Sequence, residues 1–196
     1  MKKDRVAAFT DAVLAIIMTI LVLELEKPTT FALDSLWALR YSFLSYTLSF
    51  FWLGSMWINI HNEWDDIETI HAKTLWITLV LLFFSSMIPY ATSSVSQDFN
   101  NVVTQCLYGF FVLGVTFSNI WLSQSLQNSE ICSKELKEIM KKRKTLLWMD
   151  VGIKLVGLVV AITIYPPAMM ISVLLAAAFL MVGIRLKRID WVDIKE

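Results

Sequence analysis

Apolar runs long enough to cross a bilayer, separated by short polar breaks, leave this chain few ways to fold. A span needs roughly 20 mostly apolar residues. Such runs fall at about 6–25, 39–60, 74–94, 102–125, 146–165 and 168–186. The expected fold is an all-α membrane protein with six transmembrane helices, residues 1–196 forming a single transmembrane domain. Composition points the same way, with 57% hydrophobic and 17% charged residues, outside the usage of soluble domains on both counts. The start resembles a secretory signal, Lys2 and Lys3 before an apolar run. Asp11 inside that run, its length, and its ending Glu24-Leu25-Glu26-Lys27-Pro28 argue against cleavage.

The breaks have physical causes. Pro28 ends the first helix because it lacks an amide proton. Thr29-Thr30 and Asp34 read as a short loop and a cap for the second helix. Ser45 and Ser49 in that helix have the small-xxx-small spacing that lets helices approach closely. Pro89 interrupts the third run and frees a carbonyl that neighbours or hydroxyls must satisfy. Pro166-Pro167 reads as a tight turn, and the polar stretch from about 127 to 145 as a loop. Six glycines, none clustered, exclude a Walker loop, a Rossmann fingerprint and a carbonyl-lined T-V-G-Y-G filter.

An even span count puts both termini on one side. With them lie Lys2, Lys3, Arg5, Lys73, the Lys141-Lys142-Arg143-Lys144 run and the basic end around Arg188, against only Lys27 and Arg40 opposite. The positive-inside rule then makes both termini cytoplasmic. The basic run is most simply a topology signal, with anionic lipid as its second reading.

The first span carries the most chemistry. A carboxylate inside a span costs about 2.5–3.5 kcal/mol, so Asp11 needs a partner or an aqueous wall. The second span ends where the first begins, and it ends Trp57-Ile58-Asn59-Ile60-His61. Trp57 and His61, four apart, share a face. The expectation is a polar network of Arg5, Thr10, Asp11, Trp57, Asn59 and His61; the plainer reading makes Trp57 an interface aromatic and His61 a solvated helix end. Beyond Asp11, one face reads Ile16, Thr19, Ile20, Leu23. It is either a lipid-facing stripe or the wall of a narrow pore, where aliphatic rings close by dewetting and hydroxyls offer oxygens to an ion. One helix cannot enclose a pore, so the second case needs several copies around an axis. Asp150 and Lys154 read as a self-neutralising pair with a snorkelling lysine.

Cys106 and Cys132 match no metal spacing, and read as free thiols. With two histidines, no HExxH and no Ser/His/Asp order, an enzyme is not expected. Neither a cofactor nor a nucleic acid is expected as a partner; the partners are the bilayer and copies of the chain.

Arg5-Val-Ala-Ala-Phe9-Thr10-Asp11-Ala, the apolar run after it and Thr19 resemble the first-helix signature of the transmembrane protein 175 family of potassium channels, R-x-x-x-F-S-D-A. Trp57-Ile58-Asn59-Ile60-His61 resembles the family's W-x-N-H-H, Pro89-Tyr90 its proline-aromatic pair, and Tyr108-Gly109 its tyrosine-glycine. The resemblance implies a homotetramer of six-helix subunits in a prokaryotic plasma membrane, conducting potassium along a pore lined by helix one. It implies that Ile16 is the pore constriction, that Ile20 and Leu23 are hydrophobic layers beyond it, and that Thr19 contacts the ion. It also implies that Arg5, Phe9, Asp11 and His61 hold helix one. Two residues depart from the pattern: Thr10 stands for the family serine, adding a stiff β-branch, and Ile60 stands for the first histidine. The competing expectation is a proton pathway or secondary transporter using Asp11 and His61, against which no pair of broken helices marks a midplane site.

Overall fold

The computed structural model describes residues 3–28, 30–65, 70–127 and 134–192, with side-chain surroundings for 3–28, 30–64, 70–126 and 144–180. Among the described residues every regular element is an α-helix: α1 (Lys3–Leu23), α2 (Leu33–Ala38), α3 (Arg40–Asp65), α4 (Ala72–Ser86), α5 (Ile88–Gln97), α6 (Val102–Gln127), α7 (Lys134–Thr163) and α8 (Ala168–Val192). By length and composition, four described stretches can cross a membrane: Lys3–Leu23, Ala72–Gln97, Val102–Leu126 and Lys144–Thr163. The apolar part of α8, Ala168–Leu180, is shorter.

The bundle is held by the buried faces of its helices. On α1 the buried residues are Val6, Thr10, Leu14, Ile17 and Leu21, a spacing of three and four that keeps them on one side. They pack on α3, α4 and α5. Helix α3 also touches α5, α6 and α8, and its polarity follows from that position. Ser45 and Ser49 are fully buried on its inner side. Ser45 donates to Met170 Sδ at 3.6 Å, Thr92 donates to Ser49 Oγ at 2.8 Å, and Ser49 and Tyr108 share a hydrogen bond of 3.1 Å. Apolar burial drives helix association weakly where lipid is the solvent, so close packing and interhelical bonds of about 0.6–2 kcal/mol matter more.

Pro89 splits the third apolar run into α4 and α5. The last turn of α4 tightens, Met87 N–H bonding to the Phe84 carbonyl at 3.2 Å, and α5 starts with Pro89 in its first turn, where a missing amide costs nothing. Pro166 and Pro167 make the expected turn between α7 and α8, closed by Ala168 N–H on the Tyr165 carbonyl at 3.0 Å. The two helices then run in close contact, because Gly157 leaves room for Ser172: a Cβ there would overlap the serine side chain.

Three expectations are corrected. Helix α1 already ends at Leu23, five positions before Pro28, so the proline follows the helix end and does not make it. Asp34 does not cap the second long helix; it lies in the first turn of the short α2, whose N-cap is Ala32 without a side-chain bond. The polar stretch expected as a loop to 145 is helical from Lys134, since Lys, Glu and Leu are all strong helix formers and no proline or glycine stops them. The side chains of Lys141, Lys142 and Arg143, and all of Thr29 and Cys132, lie outside the described residues.

Candidate functional site on the first helix

The entry of α1 is tied to the end of α3 at two points. Trp57 Nε1 donates to Asp11 Oδ1 at 2.8 Å, and Lys3 Nζ donates to the Trp64 carbonyl at 3.0 Å. The first is a bond to a charged acceptor, a class that contributes about 1.5–3 kcal/mol. The second places a cation on the carbonyl-rich C-terminal turn of a helix, where it is favoured. His61 stacks on Trp57, centroids 5.5 Å apart at 28°, and so limits the rotation of the indole that holds the carboxylate. Asp11, Trp57 and His61 therefore come together. Phe9 is half exposed and Arg5 exposed at the same end.

Two residues expected nearby stand elsewhere. Thr10 is fully buried, and its hydroxyl donates to the Val6 carbonyl at 2.8 Å, so the added methyl packs inside while the helix itself satisfies the hydroxyl. Asn59 lines a cavity on another side of α3, with Thr116, Asn119, Asp150 and Lys154.

Further along α1, Ile16, Thr19, Ile20 and Leu23 are turned away from the packed face. Ile16 is 57% exposed and Leu23 78%, while Leu14, Ile17 and Leu21 on the packed face are buried. The Thr19 hydroxyl donates to the Ile16 carbonyl at 2.7 Å, which spends its proton and leaves acceptor capacity on the exposed oxygen.

The Asp150–Lys154 pair forms at 2.7 Å, but the lysine does not snorkel. It is 1% exposed, donates to Thr116 Oγ1 on α6 at 2.8 Å and lies 5.1 Å from the centroid of the Trp52 ring. The correction has a physical cause: the pair sits midway along a helix covered by α6 and α8, so Thr116 and the indole of Trp52 are in reach while the membrane interface is not. The i, i+4 charge spacing was visible in the sequence; a threonine 38 positions away was not.

Long apolar helices joined through buried polar contacts define a multi-pass membrane protein. The family model described as endosomal/lysosomal potassium channel TMEM175 matches residues 5–89, the stretch that includes Asp11, Ile16, Trp57 and His61. A potassium channel of a Chryseobacterium species is 32% identical over 143 residues, 73% of this chain and 74% of the relative. One of Streptomyces collinus is 26% identical over 130 residues, 61% of this chain and 63% of the relative. In fold, the chain is similar to the crystal structure of a lysosomal potassium-selective channel TMEM175 homolog from Chamaesiphon minutus, with a TM-score of 0.81 at 20% identity over 92% of this chain and 97% of that one. The chain belongs to the TMEM175 family.

Proposed function

We propose that the chain is one subunit of a homotetrameric, potassium-preferring cation channel whose pore is lined by α1. Ile16, Ile20 and Leu23 narrow the pore, and Thr19 offers the permeating ion an oxygen. The observation that carries this reading is the two-sidedness of α1: one face is packed on α3, α4 and α5, and the other leaves Ile16 and Leu23 more than half exposed. An axis shared by four copies gives that second face its neighbours. Asp11 and Trp57, with His61, Arg5 and Phe9 beside them, anchor the entry of α1 so that the face keeps its direction. Thr10 fills the inner side of the same turn, and Asn59 steadies α3 from behind.

The whole chain acts as one transmembrane domain. It crosses the plasma membrane six times, through α1, α3, the α4–α5 pair, α6, α7 and α8, and both termini are cytoplasmic by the distribution of lysine and arginine. Conduction needs no carbonyl-lined filter. Selectivity is modest, because an aliphatic waist with one layer of hydroxyls gives potassium few oxygen ligands.

The test is potassium flux into liposomes from purified protein, wild type beside Ile16→Asn. A polar side chain wets the waist, so flux rises and discrimination between cations falls in the variant. Unchanged flux takes Ile16 out of the pore. No flux in either protein, shown to be folded, overturns the channel reading in favour of coupled transport through Asp11 and His61.

A further inference from the structure

A small cavity of about 20 Å³ is lined by residues of α3, α6, α7 and α8, with Trp52, Met56 and Leu147 among its apolar walls. Its polar wall is made by Ser55, Asn59, Thr116, Asn119, Asp150 and Lys154. A water molecule needs about 10–15 Å³ on this measure, so the space takes one water and little more. Among the described residues, two acceptors on its lining side chains, Asp150 Oδ1 and Asn119 Oδ1, have no hydrogen-bond donor. Their side chains belong to residues 1% and 6% exposed, and buried acceptors of this kind carry a desolvation penalty until they are paired.

Three neighbouring donors, on Lys154, Thr116 and Ser55, are already committed. Lys154 gives one proton to Asp150 Oδ2 at 2.7 Å and one to Thr116 Oγ1 at 2.8 Å, and its ammonium group faces the Trp52 ring. Thr116 donates to the Val112 carbonyl at 2.9 Å, and Ser55 to the Trp52 carbonyl at 2.7 Å. What the two oxygens lack is a donor with two protons, small enough for the space between α6 and α7.

We infer that this cavity binds a single water molecule, which donates one proton to Asp150 Oδ1 and the other to Asn119 Oδ1. A monovalent cation is the poorer occupant. The carboxylate is already neutralised by Lys154, whose ammonium group repels a second cation a few ångströms away, and so small a cavity admits few further oxygens. The water completes the hydrogen bonding of the buried ion pair and joins α6 to α7. It does so behind α3: Asn59 in the cavity wall is two residues from Trp57, about 200° round the helix, so the site backs the turn that holds Asp11.

The experiment is crystallography of the full chain at a resolution that shows ordered solvent, for wild type and Asn119→Leu, with a second wild-type data set in rubidium. The expected result is a solvent peak within about 3.2 Å of both oxygens, without rubidium anomalous signal. In Asn119→Leu that peak is lost while the Asp150–Lys154 pair remains. A dry cavity in the wild type overturns the inference, and so does a rubidium signal at the site. A peak that stays in Asn119→Leu also overturns it, since Asn119 is then not the partner. Because the wild-type data decide between water, cation and nothing, the inference stays testable if the variant does not fold.

Discussion

A single turn of α1 shows how differently neighbouring side chains are used. Asp11 accepts from Trp57 at 2.8 Å, Thr10 turns inward onto the Val6 carbonyl at 2.8 Å, and Phe9 faces out. Trp57→Phe keeps the ring and the stack with His61 but removes the only donor of the indole, so the carboxylate loses a charged hydrogen bond. The expected loss is about 1.5–3 kcal/mol, read as a lower thermal midpoint of the detergent-solubilised protein; an unchanged midpoint would show that water serves Asp11 equally well. For the proposed pore, Thr19→Val keeps shape and removes the exposed oxygen. Its potassium preference should fall, seen as a shift of reversal potential under a potassium–sodium gradient, and an unaltered potential removes Thr19 from ion contact. The buried pair makes a sharper case. Lys154→Met strands Asp150, and breaking a buried pair costs about 3–5 kcal/mol, whereas Asp150→Leu with Lys154→Met costs much less because no charge is left uncompensated. A double-mutant cycle of thermal stability separates the two outcomes.

At the scale of elements, small residues and hydroxyls decide which helices meet. Gly157 has Ser172 where its Cβ would be, so Gly157→Ala should push α7 and α8 apart at a cost of about 1–3 kcal/mol, typical of overpacking. Ser172→Gly, which empties the same space, should recover most of the lost thermal stability; if it does not, the contact between the two helices is not what Gly157 protects. Helix α3 carries the same lesson on more sides. Its serines bond to Met170, Tyr108 and Thr92, so this polarity marks the sides of the helix that face protein, while Phe43, Phe51 and Ile58 are exposed. The break at Pro89 was legible from the residue itself, since only its own missing amide is involved. The length of α7 was not, because charge in the stretch to 145 reads as loop although its residues favour helix.

For the molecule as a whole, the outer face of α1 sets the consequence. An exposed apolar stripe beside a packed one, on a helix anchored at Asp11, suits a central position among copies of the chain. If the tetramer proposed above forms, native mass spectrometry of the protein released from detergent gives a four-fold mass, and Leu23→Glu lowers it by setting like charges around the axis. A monomer under conditions that preserve folding would exclude a pore lined by α1.

What the sequence determined by itself was carried by local patterns. Long apolar runs dictated helices, Pro89 and Pro166-Pro167 placed two of the breaks, and the spacing of Ile16, Thr19, Ile20 and Leu23 put them on one side of α1. The closeness of Trp57 to Asp11 was also legible, because a carboxylate entering hydrocarbon needs a donor and the second span ends where the first begins. Only the tertiary structure decided where the remaining polar groups went. Asn59 faces the cavity of Asp150 rather than Asp11, and Lys154 is buried against Thr116 and Trp52 instead of reaching for the interface. The physical reason is common to both: a polar side chain in a membrane protein takes whichever donor or acceptor the packing brings near, and distance along the chain carries no record of that choice.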